Sequence, residues 1–415
     1  MAIDFTPSAA QRELQLISRR FAHDVLAGAR SAYEELPTPE ARFLATRPAY
    51  EAMVAAGFLR KCIPAPAGGE NAGLLDMAIM AEEFYSVNAS ITLTLLGTVL
   101  GLLPILIGGT PEQCGRLLAP FLKAGGAPLA GFCSSEPGGS ANAASPPPGE
   151  GVRTAARLRD DQWVINGRKK WVSSATGWDR KGADVLCVVC RTDPEAPPAS
   201  GISIIAVEAP TPGILFERAI DSIGHRGHLT PQFGLVNVAA PRRNLIGEAG
   251  GGLALSSAAF TGTAALVGIF GVALMRAAFD FALHFARTER RGGIDPIIEH
   301  QAVGYALADA KTRIEAARYL SWRACHAVDT QHPAADELAI QAKIYGSETA
   351  VTVITDLMRV VGIDSYDSEL PLGNLLQDAL ALPIFDGGNN GIRRRQLHTM
   401  LKRGDYDPLR ASGAA

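Results

Sequence analysis

The spacing of apolar residues divides the chain into stretches of different periodicity. From residue 6 to about 125, apolar residues recur every three to four positions, which predicts helices with one apolar face. The first such stripe consists of Leu14, Ile17, Phe21 and Val25. Thr6 followed by Pro7 is expected to cap this first helix. A Pro- and Gly-rich segment, residues 64–69, separates it from a second helical block.

Between about 129 and 246 the pattern becomes that of short strands. Residues 185–192 (VLCVVCRT) and 201–209 (GISIIAVEA) are rich in β-branched residues and bounded by turn formers. Helical periods return after residue 252, as in the stripe Val303, Leu307, Ala310, Ile314 and Ala317. The pattern predicts an α+β, mainly α fold: an N-terminal helical domain (1–128), a middle β domain (129–246) and a C-terminal helical bundle (247–415).

Composition and charge exclude several classes of protein. A chain of 415 residues is too long for one compact core, and 47% hydrophobic content indicates a folded globular protein. A net charge of -3 gives no electrostatic basis for binding nucleic acid. Six scattered cysteines are typical of reduced thiols, and no basic region followed by an apolar one marks the N-terminus for export. We therefore expect a cytoplasmic protein with no nucleic-acid partner.

Two uncharged runs, residues 91–109 and 256–275, approach the ~20 residues that a membrane span requires. The first contains Pro104 and several glycines, and the second is rich in Ser, Thr, Ala and Gly. Helices that are buried on all sides are also apolar all round. We therefore expect two core helices and no membrane span.

Metal and several other catalytic chemistries find no support in the sequence. Cys187 and Cys190 lie three residues apart in a predicted strand, so their thiols should face opposite sides of the sheet. No second cysteine pair and no HExxH spacing completes a metal site, so none is expected. A GxSxG elbow, a P-loop and a GxGxxG after a strand are also missing, which argues against hydrolase, NTPase and Rossmann chemistry.

Polar, Gly-rich segments near the predicted domain joints are the remaining candidates for a ligand site. FCSSEPGGSAN (132–142) places hydroxyls around a Glu-Pro-Gly-Gly turn, where backbone amides can approach an anion closely. In INGRKKWVSSATGW (165–178), Trp171 stands beside Ser173, and a flat aromatic with a neighbouring hydroxyl suits a flavin ring and its N5 edge. Either segment alone is more often an ordinary loop.

A third segment, IFDGGNNGIRRRQ (384–396), sets Asp386 among glycines ahead of three arginines. Arg393 lies seven residues further on, about two helical turns if this segment is helical. Asp386 and Arg393 are either a plain ion pair on a turn or a base with a cation that keeps it ionised. The residues alone leave both interpretations open.

Taken together and in this order, the three segments and the pattern R…EHQ in residues 291–301 resemble the acyl-CoA dehydrogenase superfamily of FAD enzymes. The resemblance covers nearly the whole chain. It implies the helical–β–helical fold, FAD between the β and C-terminal domains, and a homotetramer in which a neighbouring subunit completes the flavin site.

The resemblance also assigns site residues. Those that would line FAD are Phe132, Cys133, Ser134, Ser135, Ser140, Ala141, Asn142, Trp171, Val172 and Ser173. Those that would reach the cofactor of the partner subunit are Arg291, His300 and Gln301. Residues bordering flavin and substrate would be Ile384, Phe385, Asp386, Gly387 and Gly388.

Departures from the usual family pattern narrow the resemblance to the nitroalkane oxidase branch. Asp386-Gly387-Gly388 stands where acyl-CoA dehydrogenases usually carry Glu-Gly-Thr, and RVVGIDS (359–365) replaces Q-x-x-GG-x-G. Thr261 and Ala264 replace the Asp and Arg of the D-x-x-R signature, whose arginine helps to hold CoA.

By this resemblance, Asp386 is the base that removes the α-proton of a small neutral nitroalkane, with Arg393 and Thr263 as its partners. The carbanion would add to flavin N5, nitrite would leave, and the products would be an aldehyde or ketone together with H2O2 formed from O2. Ser173 would bond flavin N5.

Three other functions remain open at this point. An acyl-CoA dehydrogenase or oxidase would use the aspartate as base on a thioester. A flavin monooxygenase of the same fold would act in a biosynthetic pathway. A non-catalytic scaffold would hold flavin without any turnover.

Overall fold

The computed structural model describes residues 5–145, 148, 149 and 151–412. Its N-terminal part is helical, with α1 (Ala9–Phe21), α2 (Pro39–Ala45), α3 (Arg47–Ala55), α4 (Leu74–Tyr85), α5 (Ala89–Gly108) and α6 (Pro111–Leu117). The first helix is predicted correctly, but its cap is Ser8 and not Thr6. The Ser8 hydroxyl accepts a hydrogen bond from the Gln11 amide while the Gln11 side chain accepts from the Ser8 amide.

The predicted stripe of α1 is only partly buried. Ile17 is 42% exposed, whereas Ser18, Ala22 and Leu26 are fully buried. The buried positions Ser18, Ala22 and Leu26 are each one residue beyond the predicted Ile17, Phe21 and Val25, and the helix continues into a π-helical turn, Ala22–Leu26.

The middle part is one twisted sheet. Its strands are β1 (Ala130–Cys133), β2 (Ala155–Arg159), β3 (Gln162–Lys170), β4 (Val185–Arg191), β5 (Ile202–Glu208), β6 (Ile214–Ala219), β7 (Pro231–Pro241) and β8 (Leu245–Ile246). The order across the sheet is β6-β7-β3-β2-β4-β5-β8, and β1 pairs with β4 in parallel. The predicted strands at 185–192 and 201–209 are β4 and β5. A short helix, α7 (Pro198–Gly201), leads into β5.

The C-terminal part is a helical bundle. It contains α8 (Gly252–Thr288), α9 (Gln301–Asp329), α10 (Ala335–Val361), α11 (Pro371–Ala381) and α12 (Arg394–Leu401). Helix α8 packs against α9 and α10 on one side and against α4 and α5 of the N-terminal part on the other. The predicted α9 stripe holds, since Leu307, Ala310, Ile314 and Ala317 are buried.

The two apolar runs form α5 and most of the first half of α8. Both helices are long and apolar enough to cross a membrane, but 67% and 72% of their most apolar windows are buried inside the protein. Both contact the sheet and the other helices, as core helices do. Cys187 and Cys190 are buried in β4, and within the described part of the chain no group of three metal-binding side chains occurs.

A cluster of buried charges joins the N-terminal helices to the bundle. Glu83 of α4 accepts hydrogen bonds from Arg19 of α1 at 2.9 Å and from Arg276 of α8 at 3.0 Å. Burial alone would raise the pKa of Glu83, but these two guanidinium groups hold it at about 2. The neighbouring Glu82 pairs with Arg318 of α9 at 3.0 Å, so one short segment of α4 ties together three other helices.

Helices α8 and α10 approach each other most closely at glycines. A Cβ at Gly271 would lie 2.3 Å from the carbonyl oxygen of Gly346, and a Cβ at Gly268 would lie 2.9 Å from the carbonyl oxygen of Ala342. Both obstacles are backbone, so neither can rotate away. The distance between α8 and α10, and with it the position of everything α8 carries, depends on the missing side chains.

Gly271→Ala is therefore expected to destabilise the fold although alanine is the better helix former. The helices must separate, which costs about 1–3 kcal/mol and lowers the melting temperature measured by circular dichroism. Gly262→Ala in the same helix is the matched control, because its Cβ would meet only Leu74 Cδ2 at 3.8 Å. A melting temperature that is equal or higher in the Gly271 variant would contradict the role of this contact.

Candidate active site

Asp386 lies in a buried polar site between α8 and the C-terminal segment. Its Oδ1 accepts a hydrogen bond from Thr263 Oγ1 at 2.9 Å, and its Oδ2 lies 3.4 Å from Arg393 Nη2. The side chains of Asp386 and Arg393 are 4% and 3% exposed. The structure therefore brings together the predicted base and both of its predicted partners, away from bulk solvent.

Arg393 is held on several sides. Its Nη2 also donates to the carbonyl oxygens of Asp386 at 2.8 Å and Phe260 at 3.1 Å, and its Nη1 donates to Gln396. Burial lowers the pKa of Arg393 from its ordinary value, while the charge of Asp386 opposes that shift. The guanidinium thus fixes the backbone around Asp386 as well as balancing its charge.

The route from Asp386 to Arg393 is not two turns of α-helix. Asp386 is in the left-handed region at φ 53° and Gly387 at φ 73°, and the chain then forms a π-helical turn, Asn389–Arg393. Asp enters the left-handed region more readily than most side chains, which favours Asp over Glu here. A Cβ at Gly387 would lie 3.0 Å from Arg393 Nε, and one at Gly388 would lie 2.8 Å from the Ile384 carbonyl oxygen. Both glycines are therefore required by the turn itself.

Lys343, which the sequence pattern did not single out, hydrogen-bonds to the segments on either side of this turn. It is fully buried on α10, and its Nζ donates to the Leu382 carbonyl at 3.2 Å and to Asn389 Oδ1 at 3.0 Å. Asn389 in turn donates to Ser347 and Glu348. A lysine three residues after the buried Ile340, on an otherwise apolar face, was the available signal. Burial lowers the pKa of Lys343 to about 8, and the charge of Arg393 adds to the shift.

The segments predicted to line the cofactor meet in front of this turn. The Lys170 amide donates to the Ser135 carbonyl at 3.1 Å, which joins the end of β3 to the segment after β1. The ring of Phe132 packs against that of Phe260 of α8, with centroids 5.3 Å apart and planes inclined at 37°. Because Phe260 also accepts from Arg393, the β1 end, α8 and the Asp386 turn form one continuous structure.

The 140–142 part of the first segment contacts the C-terminal one. Arg395 donates to the carbonyl of Ala141 and, at 3.4 Å, to Asn142 Oδ1. Ser134, Ser135 and Ser140 are partly accessible, as hydroxyls of a ligand site should be. Cys133 is fully buried, backbone and thiol alike.

Trp171, Val172 and Ser173 follow β3 directly. The ring of Trp171 is 52% exposed although its backbone is in the strained left-handed region at φ 63°. Strain of this kind at an exposed aromatic is a sign of function, and together with the neighbouring Ser173 hydroxyl it fits the flat ring of a flavin. Val172 is buried and contacts Gly131 of β1.

Ile384 and Phe385, both predicted to border flavin and substrate, differ in their exposure. Ile384 is 74% exposed, whereas Phe385 is partly buried and lies against the His225 ring with centroids 6.3 Å apart. Phe385 is thus attached to the core and Ile384 faces outward.

Arg291, His300 and Gln301 do not join this site within one subunit. They lie beyond the end of α8, along which Thr263 and Thr288 are about 37 Å apart. Arg291 pairs with Asp364 at 2.9 Å and donates to the Val361 carbonyl, and His300 and Gln301 are exposed. Within this chain they are therefore separate from the Asp386 site.

Comparisons with known proteins agree with this arrangement. Family models for the N-terminal, middle and C-terminal domains of acyl-CoA dehydrogenase match residues 8–124, 131–238 and 250–401. The chain is 42% identical to a nitroalkane oxidase of Podospora anserina over 98% of both chains. It is 36% identical to a nitroalkane oxidase of Fusarium oxysporum over 99% of this chain and 97% of that one.

The chain belongs to the nitroalkane oxidase branch of the acyl-CoA dehydrogenase family. As a member of this family it is an FAD-dependent oxidoreductase. Its fold superposes on an active-site mutant of nitroalkane oxidase crystallised with 1-nitrohexane with a TM-score of 0.96, at 35% identity over 100% of both chains. The helical–β–helical fold and the FAD cofactor predicted from the sequence are thereby confirmed.

Lys343 generates a prediction about pH. Folded Lys343 releases its proton near pH 8, whereas an unfolded lysine holds it to about 10.4. Between these values the unfolded chain binds the extra proton, so the folded state gains stability as the pH rises, by up to the order of 3 kcal/mol. The melting temperature of the wild type relative to Lys343→Met should therefore rise from pH 8 to 10. The control is Lys402→Met at an exposed position, and a flat difference for Lys343 would contradict the prediction.

Proposed function

We propose that this protein oxidises small neutral nitroalkanes to aldehydes or ketones, with release of nitrite and H2O2, and that Asp386 is the catalytic base. The observation that carries the proposal is the carboxylate of Asp386, 4% exposed and bonded by Thr263 and Arg393. The relatives at 42% and 36% identity are both nitroalkane oxidases.

The chemistry of the substrate explains the need for such a base. Loss of a proton from carbon beside a nitro group is slow, and a carboxylate fixed within reach of that carbon in a water-poor site accelerates it. The Arg393 guanidinium lies 3.4 Å from Asp386 Oδ2 and also bonds the Asp386 carbonyl, so it fixes the position of the carboxylate. Thr263 orients the carboxylate by bonding Oδ1, which leaves the remaining lone pairs of both oxygens for the proton.

Bound FAD would supply the electron acceptor for the deprotonated substrate and pass those electrons to O2. Residues 132–142 and Trp171–Ser173 would hold it, because these two segments are joined to each other and expose the Trp171 ring and several serine side chains. The overall reaction balances as one nitroalkane, one O2 and one water giving one aldehyde, one nitrous acid and one H2O2.

A CoA thioester is the less favoured substrate. The position at which the family carries the CoA-holding arginine is Ala264, which is fully buried in α8. Thr261, at the companion position, is bonded to Asp336 at 2.7 Å. Neither offers a cation to a polyanionic handle.

We also propose a homotetramer. Arg291, His300 and Gln301 lie at the opposite end of α8 from Asp386, where Ile294, Ile363 and Tyr366 are 86%, 79% and 86% exposed. Exposed apolar side chains of this size around a basic residue suit a subunit contact that places Arg291 near a neighbouring cofactor.

Asp386→Asn is expected to lower the rate of flavin bleaching by anaerobic 1-nitrobutane at least 100-fold, because the amide cannot accept the proton. The pre-ionised nitronate of 1-nitrobutane has already lost that proton and serves as the matched control, so it should bleach the variant at a much smaller loss. If the bleaching rate falls as much with the nitronate as with neutral 1-nitrobutane, Asp386 is not the base that removes the proton. Bleaching of the wild type by butyryl-CoA alone would overturn the proposed substrate class.

Arg393→Lys is expected to lower kcat/KM for 1-nitrobutane at least about tenfold. The lysine keeps the charge but has a single nitrogen, so it cannot bond Gln396 through one nitrogen while a second bonds Asp386 and Phe260. Arg394→Lys is the control, since Arg394 is next in sequence and forms an exposed pair with Glu348. Steady-state oxygen consumption measures kcat/KM for both variants. Similar kcat/KM values for Arg393→Lys and Arg394→Lys would show that the Asp386–Arg393 geometry does not matter for turnover.

A further inference from the structure

A chain of three hydrogen-bonding side chains runs from α5 to Ser173. Thr94 Oγ1 lies 3.0 Å from His228 Nδ1, and His228 Nε2 lies 3.2 Å from Ser173 Oγ. Thr94 is fully buried and His228 is 5% exposed. Gly97 seats Ser173 tightly against α5, because a Cβ there would lie 2.8 Å from Ser173 Cβ.

His228 is electrically neutral in this setting. Burial lowers its pKa to about 3, and the nearby His225 adds to that shift. A neutral imidazole carries one proton on one of two nitrogens, so it donates at one end and accepts at the other. Thr94 and Ser173 must therefore adjust to whichever nitrogen holds the proton.

With the proton on Nδ1, His228 donates to Thr94, whose own hydroxyl donates to the Ser90 carbonyl at 3.2 Å. Nε2 then accepts from Ser173, and Ser173 presents only oxygen lone pairs to a ligand. With the proton on Nε2, His228 donates to Ser173, whose hydroxyl hydrogen is then free for the ligand.

The two arrangements cost nearly the same. In the second one Thr94 donates to Nδ1 and gives up the Ser90 carbonyl, but that carbonyl keeps the helical amide hydrogen bond of α5. No buried group loses its last partner in either state.

We propose that His228 is a positioning residue whose tautomer sets the direction of the Ser173 hydroxyl, so that Ser173 can donate to oxidised flavin N5 and accept from its reduced, protonated form. Oxidised N5 has a lone pair and reduced N5 carries a hydrogen, so the two forms need opposite partners. This inference rests on the proposed placement of Ser173 beside N5. It adds the two residues behind Ser173 that allow one hydroxyl to serve both forms.

Thr94→Val tests the proposal. Valine offers no acceptor to Nδ1–H, so His228 should keep its proton on Nε2 and hold Ser173 as a donor. Reduction then leaves the Ser173 hydrogen without a partner. The reduction equilibrium constant should fall about tenfold, which lowers the midpoint potential by about 30 mV for a two-electron couple.

The matched control is Thr92→Val. Thr92 is equally buried on α5, and its hydroxyl donates to the carbonyl of Asn88 one turn back, 2.7 Å away. Its midpoint potential should equal that of the wild type. In a Ser173→Ala background, Thr94→Val should have no further effect, because the two residues act through one chain.

Redox-induced infrared difference spectra of the holoenzyme, with ring-labelled ¹⁵N-histidine, report the tautomer directly. Isotope-sensitive histidine bands are expected in the wild type and in Thr92→Val, and their loss is expected in Thr94→Val and in His228→Gln. Wild-type spectra without such bands would overturn the proposal, even if Thr94→Val failed to fold or to hold FAD. Equal potentials in Thr94→Val and Thr92→Val would also overturn it.

Chemical reduction with dithionite drives these measurements, so no nitroalkane is needed. If the protein shows the histidine bands but does not turn over nitroalkanes, the tautomer proposal stands and the proposed substrate is wrong. If it turns over nitroalkanes normally but shows no histidine bands, the proposed substrate stands and the tautomer proposal is wrong.

Discussion

The site depends on keeping one carboxylate charged where water is scarce. An ionised carboxylate that is 4% exposed is costly unless it is paired and hydrogen-bonded. Arg393 and Thr263 meet that requirement. Arg393 must then be fixed in turn, and it is bonded to Phe260, Gln396 and the backbone of Asp386 itself. Gly387 has to be small because a side chain there would meet the guanidinium. The strained turn, the glycines and the buried lysine behind it all follow from this one charge.

Helix α8 transmits this constraint to the rest of the molecule. It supplies Thr263, which bonds Asp386, and Phe260, whose carbonyl bonds Arg393 and whose ring meets Phe132 at the edge of the sheet. Further along, Arg276 joins the buried acid of α4, and glycines set the distance to α10. The helix is apolar over most of its length because it has neighbours on nearly every side. A composition that allows a membrane span is here the result of a central position in the core of the protein.

Two kinds of histidine environment show how much the neighbourhood decides. His300 is exposed at the start of α9, whereas His228 is enclosed between α5 and the segment after β3. Enclosure makes His228 neutral, and neutrality makes it a donor and an acceptor at once. An exposed histidine such as His300 could not fix the direction of a hydroxyl, because water would compete for both ring nitrogens.

Periodicity alone determined the order of helices, strands and helices, since it reports which faces must be buried. Residue types and spacing also marked Asp386, Arg393, Trp171 and Ser173, because polar and aromatic side chains beside Gly-rich or polar segments are visible in the sequence. Lys343, His228 and Thr94 were not visible, because each acts through partners 39 to 134 positions away. The start of α1 and the left-handed turn at Asp386 were likewise decided by contacts. Local patterns encode burial, but the partner of a buried polar group is chosen only when distant segments meet.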